Sequence, residues 1–424
     1  MMRLRITDET LDASDVPSAD RVHRHPSPIV HRSQELLAVL RSRPTLPDVI
    51  EYSAGSGIGL RLVQARRTGL IQTRLVAIVP DPMPETELLD PQQAYAEFAR
   101  YHSYRYADER LGPTAHLAAR GWELPPEPSV ASVASNPLVT IAITFYNLGA
   151  YLPAQVDSLL AQTYRNLEIL LVDDGSPRLE DAAIARGQAT RDSRIRLIRQ
   201  PNAGLGAARN RALAEASGEL FLPVDADNVS RPEMVETFVR GLTRSPDLDC
   251  LTCHSLAFSD DAEIRRGTFR CAYRPSGGPL VMGAIENVLG DANGCFRTVA
   301  LRAIGGYTTE RDTTYEDWET YLRLIQSGRG LEVVPAPLFY YRVRANSMQR
   351  TTSTFRNLQR VLHQWAQGES LPPLEEKILQ GFLRGIFLPS PDLIDARCRT
   401  QELRDRADSL RHRLGDLLAR RRSA

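Results

Sequence analysis

The sequence has little cysteine and almost no lysine, and these scarcities narrow the classes of protein to consider. Five cysteines spread over 424 residues do not make the disulfide framework of a small secreted protein. Lys377 is the single lysine, so arginine supplies nearly all of the 52 basic residues, which 52 acidic residues balance. A chain without net charge lacks the basic field of a nucleic-acid binder, and we expect no nucleic-acid partner.

Long apolar runs are also missing. No stretch approaches the roughly 20 apolar residues that a membrane helix needs. The first twenty residues lack the apolar core of a secretory signal. The sequence therefore predicts a cytoplasmic protein without a transmembrane segment. Three arginines near the C-terminus, Arg420–Arg422, leave open a peripheral contact with anionic lipid headgroups at the inner membrane face.

Two glycine-rich phosphate-binding motifs are absent. No G-x-x-x-x-G-K-[ST] occurs, which excludes a Walker-type ATPase or GTPase. A dinucleotide-dependent dehydrogenase needs G-x-G-x-x-G after the first strand of its sheet, where this chain has "FYNLGAY". The same segment also lacks the Gly-rich basic loop that a nucleotidyltransferase would place there.

What the chain does have is a regular alternation of apolar strands and helices after Pro137. The predicted strands are "LVTIAITFYN", "LEILLVDDGS", "RIRLIRQPNAG" and "ELFLPVDADN", with helical patterns between them. Strands that are apolar nearly throughout are typical of buried parallel sheets. The pattern predicts an α/β domain with an open, mostly parallel sheet and helices on both faces.

Composition divides the chain into three predicted regions. Residues 1–126 read as a small Rossmann-like α/β module, although the first 30 or so residues look like an irregular lead-in. The Pro-, Ser- and Ala-rich stretch 123–137 is typical of a linker. Residues 137–350 form the main α/β domain, and 351–424 a helical region.

Polar residues follow each of the four central strands. Ligands of open parallel sheets bind beyond the carboxyl ends of the strands. Asp225 and Asp227 end the fourth strand, and residues two apart in extended chain point the same way. Two such carboxylates repel unless a cation lies between them, although a simple turn is the alternative. Mg²⁺ is commonly held by one or two carboxylates together with substrate phosphates.

Six motifs, in order, resemble the inverting nucleotide-sugar glycosyltransferases of family 2, which have a GT-A fold. They are "TIAITFYN", "QTYRNLEILLVDDGS", "PNAGLGAARNRAL", "FLPVDADN", "GGY" and "YEDWETYLRL". The resemblance runs from about Pro137 to about Arg350, half of the chain. Any one of these motifs alone would be unspecific.

The resemblance implies a set of residues that contact the donor's nucleotide: Thr144, Tyr146, Asn147, Asp174, Gly204, Arg209 and Asp225. It implies that Asp227 ligates a divalent metal ion, Mg²⁺ or Mn²⁺, with Asp225 near the metal or the ribose. It makes Asp317 of "YEDW" the catalytic base. Arg209 as a surface cation and Asp317 as a first-turn acid favoured by the helix dipole are the alternatives.

The implied reaction moves a sugar, with UDP the favoured nucleotide, to a hydroxyl of a glycan or glycolipid acceptor during cell-surface glycan or glycoconjugate assembly. Burial beside Tyr315 and Trp318 is expected to raise the pKa of Asp317 and make it a better base. The "QxxRW" motif of processive synthases is missing, so we expect one transfer per encounter. The three arginines after "PLFYY" are either phosphate ligands or exposed loop residues: Arg342, Arg344 and Arg350.

The first module resembles the N-terminal half of family 4 GT-B glycosyltransferases. The likeness rests on "DVIEYSAGSGIGLRLVQARRTGL" and "RYADERLGPTAHLAARGW". A lone half cannot close a GT-B cleft, so we expect this module to be inactive and to bind acceptor or to pack against the main domain. Its "GSGIG" is interpreted as a tight turn rather than a phosphate site. A non-catalytic nucleotide-sugar-binding protein or a scaffold is the alternative function for the whole chain.

Overall fold

The computed structural model describes residues 2–6, 27–80, 91–112, 136–284, 286–345, 347–367, 374, 378 and 379. Nearly all of the predicted linker and of the helical region after residue 367 therefore lies outside the described residues. Within the described residues, no helix combines the length and the apolarity needed to cross a membrane.

The first sheet is built from four parallel strands in chain order. They are β1 (Arg3–Ile6), β2 (Val49–Ser53), β3 (Arg74–Ile78) and β4 (Glu109–Leu111). The helices of this unit are α1 (Pro28–Ser42), α2 (Leu60–Arg67) and α3 (Pro91–Arg105). All three contact one another, as expected of helices on one face of a sequentially ordered sheet. We call residues 2–112 the N-terminal module. The order of its described strands does not reverse. A Rossmann-type sheet binds its ligand at a point where the strand order reverses.

The prediction of an irregular lead-in is wrong for residues 3–6, which pair with β2. Only Leu4 and Ile6 are apolar in this four-residue strand, too few to reveal a period. Arg3 and Arg5 lie on either side of Glu51 of β2, at 3.1 and 3.4 Å. This segment is therefore a strand because it pairs with β2, 46 residues away in sequence, and not because of a pattern of its own.

The glycines of "GSGIG" form a packed turn, as predicted. Gly57 has φ of 67°, in the left-handed region that favours glycine. A Cβ on Gly59 would lie 2.4 Å from the ring of Tyr52, so this close packing requires glycine at that position.

The second sheet is mixed and contains nine strands among the described residues. They are β5 (Val139–Phe145), β6 (Leu167–Asp173), β7 (Ile195–Arg199), β8 (Leu220–Asp225), β9 (Val229–Ser230), β10 (Leu248–Phe258), β11 (Cys271–Tyr273), β12 (Cys295–Arg297) and β13 (Gly330–Arg342). The order is β7-β6-β5-β8-β12-β10-β13-β9, with β11 beside β10. The predicted α/β class and all four predicted central strands are confirmed. The order reverses between β5 and β8, which places a topological switch point there.

Alternation along the central strands sends side chains to two separate cores. Ile141 and Ile143 of β5 join one hydrophobic cluster, and Ala142 between them joins the other. Helices cover both faces: α4 (Leu152–Leu160), α5 (Leu179–Ala189), α6 (Leu205–Glu215), α7 (Met234–Arg244), α8 (Asp261–Arg266), α9 (Thr298–Ala303), α10 (Glu316–Gln326), α11 (Met348–Thr351) and α12 (Thr354–Ala366). This two-sided packing fixes the ends of the central strands.

A buried ion cluster joins the N-terminal module to the second sheet. Glu332 of β13 lies 2.9 Å from His102 and 3.2 Å from Arg67. Burial alone would raise the pKa of Glu332, but His102 and Arg67 outweigh it and lower the pKa to about 2. One hydrophobic cluster also contains residues of both sheets. The domain boundaries at 126, 137 and 350 stay predictions.

Candidate active site

A cleft of about 1280 Å³ opens at the carboxyl ends of β5, β6 and β8, beside the switch point. It is larger than the roughly 300–1,000 Å³ typical of small-molecule pockets, so it has room for more than one small ligand. The sequence-predicted residues among its lining are Thr144, Tyr146, Asn147, Asp174, Gly204, Arg209, Asp225, Asp227 and Asp317. Residues spread over more than 170 positions of sequence thus converge.

The end of β5 presents Thr144, Tyr146 and Asn147 to the cleft. Thr144 is buried, and its hydroxyl has no hydrogen-bond partner within the described structure. Tyr146 is half exposed. Asn147 has φ of 57°, a conformation that Asn tolerates better than most residues, and its N–H donates to the Ser176 hydroxyl at 3.0 Å. The turn therefore aims three polar groups into the cleft.

The two acids after β6 have different tasks. Asp173 accepts the N–H of Ser176 at 2.8 Å and so caps the turn. Asp174 accepts the N–H groups of Ala203 and Gly204, both at 2.9 Å. Asp174 therefore lies where predicted, but it also holds the loop between β7 and α6 against the cleft. Each carboxylate oxygen can accept more than one hydrogen bond, which leaves capacity for a ligand.

Arg209 is buried beneath the acidic floor of the cleft, so its interpretation as a surface cation is wrong. Its guanidinium donates to Asp225 at 2.9 Å and to Glu316 at the start of α10. Burial alone would lower the pKa of Arg209, but Glu316 and Asp225 outweigh it and hold the pKa above its usual value. This arginine connects the tip of β8 to the helix that carries Asp317.

Asp227 is buried and paired with Arg344, whose Nε donates to its carboxylate. Burial, and next the negative charge of Asp225, raise the pKa of Asp227, and Arg344 opposes them. The two carboxylates therefore repel each other, and Arg209 and Arg344 offset this repulsion as a bound cation also would. Among the described residues, no three His, Cys, Asp or Glu side chains converge to hold a metal ion. Two carboxylates completed by phosphate oxygens remain a set that suits Mg²⁺ or Mn²⁺.

The predicted phosphate-binding arginines differ in placement. Arg342 is buried, donates to the carbonyl of Asp227 at 2.8 Å and pairs with Asp261 at 2.7 Å. It is therefore not an exposed loop residue, but it also lines the cleft, and its contact with phosphate stays a prediction. Arg344 lines the cleft. The side chain of Arg350 lies outside the described residues.

Asp317 stands in the first turn of α10 and faces the cleft. Tyr315, directly before the helix, has φ of 70°. The N–H of Trp318 donates to the Asp317 carboxylate at 2.8 Å. Burial, and next the charge of Glu316, raise the pKa of Asp317 to about 7 against the lowering effect of Arg209. The expected rise in this pKa is confirmed, and the carboxylate can accept a proton near neutral pH.

Two further acids belong to this constellation and had no contact assigned from sequence. Glu316 is buried against Arg209. Asp291 lines the cleft, and its pKa is raised well above its usual value by burial first and then by the charges of Asp225 and Asp317. The only signal in the sequence was their position in "YEDW" and "GDANG". These motifs do not show which residues the two acids contact.

Parts of this chain are similar to known glycosyltransferases. Residues 140–302 match the family model described as glycosyl transferase family 2. This similarity covers less than half of the chain. Glycosyltransferase GlyG of Streptococcus pneumoniae is 39% identical over 101 residues, 24% of this chain and 33% of GlyG. The uncharacterized glycosyltransferase EpsJ of Bacillus subtilis is 37% identical over 125 residues, 30% of this chain and 36% of EpsJ.

The chain thus spans about a third of the length of these relatives. Among solved structures, the mannosyltransferase PcManGT of Pyrobaculum calidifontis, in complex with GDP-Man and Mn²⁺, is 17% identical with a TM-score of 0.47. That similarity covers 68% of this chain and 84% of PcManGT. The residues that match the family model include Asp225 and Asp227, whereas Asp317 lies beyond them.

Proposed function

We propose that this protein is an inverting glycosyltransferase that moves a sugar from a nucleotide-sugar donor, with UDP the favoured nucleotide, to a hydroxyl of a glycan or glycolipid acceptor. The observation that carries the proposal is the convergence of Asp225 and Asp227 with Asp317 across one cleft. An acidic floor suits a cation-bound diphosphate, and a carboxylate with pKa about 7 suits the activation of a hydroxyl.

The donor's nucleotide occupies the β5 and β6 side of the cleft in this proposal. Tyr146 offers a half-exposed ring for the base, and the unpartnered Thr144 hydroxyl offers a hydrogen bond. Asp174 holds the loop that carries Gly204 and accepts from the base. These groups need no glycine-rich phosphate loop, in agreement with its absence from the sequence.

Asp225 and Asp227 would hold the divalent ion with the diphosphate oxygens. The bound ion would stabilise the negative charge that grows on the departing diphosphate. Arg209 holds Asp225 in place from below. Arg344 satisfies Asp227 in the free protein, and we expect its guanidinium to turn to the diphosphate when the donor binds.

Asp317 is the proposed base. It accepts the proton of the acceptor hydroxyl as the oxygen attacks the anomeric carbon from the side opposite the leaving diphosphate. This single displacement inverts the configuration at that carbon. A protein that only bound nucleotide-sugars would have no use for a carboxylate with a raised pKa at this position.

The test is turnover with a panel of UDP-sugars and GDP-mannose in the presence of Mn²⁺, followed as release of nucleoside diphosphate. Wild-type protein is expected to release diphosphate from one donor, and Asp317→Asn to lose about 10²–10⁴-fold in rate with donor binding retained. Glu319→Gln is the matched control, because Glu319 lies on the same helix and pairs with Arg360. Donor binding without release in the wild type would identify a binding protein. An active Asp317→Asn variant would reject the assigned base.

A further inference from the structure

The N-terminal module reaches the cleft through one stretch of the main domain. We call residues 274–284, which follow β11, the bridging segment. The chain continues from it to Glu286, Asn287 and Asp291, which line the cleft. This wall lies on the same side as Asp317, because the charges of Asp291 and Asp317 act on each other and both act on Tyr273.

Helix α2 of the module holds the backbone at the start of the bridging segment. Arg61, which has no exposed surface, donates to the carbonyl of Pro275 at 3.0 Å. Gln64, also fully buried, donates to the carbonyl of Ser276 at 2.9 Å. Burial, and next the charge of Arg274, lower the pKa of Arg61 to about 9. A cation kept buried to bind main-chain carbonyls fixes the path of that backbone.

Helix α3 contacts the bridging segment further along, and also the cleft wall that follows it. The ring of Phe98 lies so close to Gly278 that a Cβ there would be 2.5 Å from it. Tyr95, which is buried, donates its hydroxyl to the carboxylate of Glu286, which is exposed to the cleft. A side chain of the module therefore orients an acid of the cleft wall.

The bridging segment and the cleft wall that follows it contact the neighbours of the proposed base. The indole N–H of Trp318 donates to the carbonyl of Gly283 at 2.6 Å, and the Tyr321 hydroxyl donates to the carbonyl of Asp291 at 2.6 Å. A displacement of the bridging segment would thus disturb both the wall and helix α10.

We propose, on the basis of the proposed function, that the N-terminal module is part of the acceptor site. It fixes the cleft wall opposite the donor, and Tyr95 is a positioning residue that orients Glu286 to accept a hydrogen bond from an acceptor hydroxyl. The acceptor class is a polyhydroxylated molecule, since a carboxylate is a strong acceptor for hydroxyl groups. The module then has a structural role where it packs against the main domain. It has a functional role through the contact of Tyr95 with Glu286.

The test compares Tyr95→Phe with Tyr52→Phe in the full chain. Tyr52 is a matched control because it is buried in the same module and its hydroxyl donates to the carbonyl of Ser103, within the module, at 2.6 Å. Transfer to a panel of methyl glycosides, binding of UDP with Mn²⁺, and amide hydrogen exchange are measured for both variants and the wild type.

Tyr95→Phe is expected to raise the KM for methyl glycoside about tenfold, the effect of one lost charged hydrogen bond, without changing the KM for donor. Amides of residues 286–291 should exchange about fivefold faster, and those of β5 should not change. Equal behaviour of the two variants in both readouts overturns the proposal. If no methyl glycoside is accepted, the exchange comparison decides.

Glu286→Gln keeps the shape of the wall and serves if Tyr95→Phe does not fold. The role of Glu286 is overturned if the KM for acceptor is unchanged in that variant. Where no acceptor is used, an unchanged rate of donor hydrolysis overturns it. Failure of the wild type to bind UDP or to consume any donor would instead reject the proposed function. The exchange difference between Tyr95→Phe and Tyr52→Phe would remain informative in that case.

Discussion

Replacing Arg209 by Met would test whether the acidic floor depends on one buried cation. Arg209 is 1% exposed and contacts two carboxylates, of which Glu316 is itself buried. Its loss leaves that charge without a partner, and breaking a buried ion pair in this way costs about 3–5 kcal/mol. Arg211→Met is the matched control. Arg211 lies on the same helix, but its half-exposed pair with Glu215 is expected to contribute only about 0.5 kcal/mol.

A double-mutant cycle separates the pair from general damage to the core. Glu316→Gln keeps the shape and an acceptor oxygen, so we expect it to recover about 1.5–3 kcal/mol of the loss in the Arg209→Met background. The free energies come from urea unfolding followed by circular dichroism at pH 7. Arg209→Met within 1 kcal/mol of Arg211→Met, or strictly additive effects, would refute the assigned role of Arg209.

Three further predictions concern pH and packing. The rate of transfer should rise with pH and level off above about 7, because Asp317 must be deprotonated to accept a proton, and a rate independent of pH between 5 and 8 would contradict this. Glu332, with its pKa lowered to about 2, should contribute on the order of 3 kcal/mol of stability above about pH 4.5, lost as the pH falls towards 2. The stability of Glu332→Gln should therefore not show this loss as the pH falls. If it falls with pH as in the wild type, the ion cluster does not contribute as described. Gly206→Ala should lower the unfolding free energy by about 1–3 kcal/mol, since its Cβ would lie 1.8 Å from the Thr308 carbonyl, and a neutral result in urea unfolding would show that the loop yields.

The central strands and the position of the cleft could be predicted because their signals are local. Apolar runs such as residues 139–145 are followed by polar residues, and parallel strands bring their carboxyl ends to one edge. Asp225, which ends the fourth central strand, could be placed there for the same reason. Asp317 begins a helix, so only the resemblance to family 2 placed it in the cleft.

The ion pairs inside the site could not be predicted, because no periodic pattern connects their members. Arg209 and Glu316 are 107 residues apart, and Asp227 and Arg344 are 117 apart. Arg209 lies in an ordinary helical pattern, and only the structure shows that it is buried against Asp225 and Glu316. The contacts of the N-terminal module with the cleft wall are equally invisible, since Gln64 and Ser276 are separated by 212 positions.

The most direct measurement of the central claim is calorimetric binding of UDP to the wild type and to Asp227→Asn, with Mn²⁺ and with a chelator. The wild type should bind UDP at least about tenfold more tightly with Mn²⁺, and Asp227→Asn should lose that difference. Asp261→Asn, which removes an acid paired with Arg342, should keep it. The affinity for UDP could instead be the same with the chelator and in Asp227→Asn. That result would contradict the proposal that the acids at the end of β8 bind a cation-bound diphosphate.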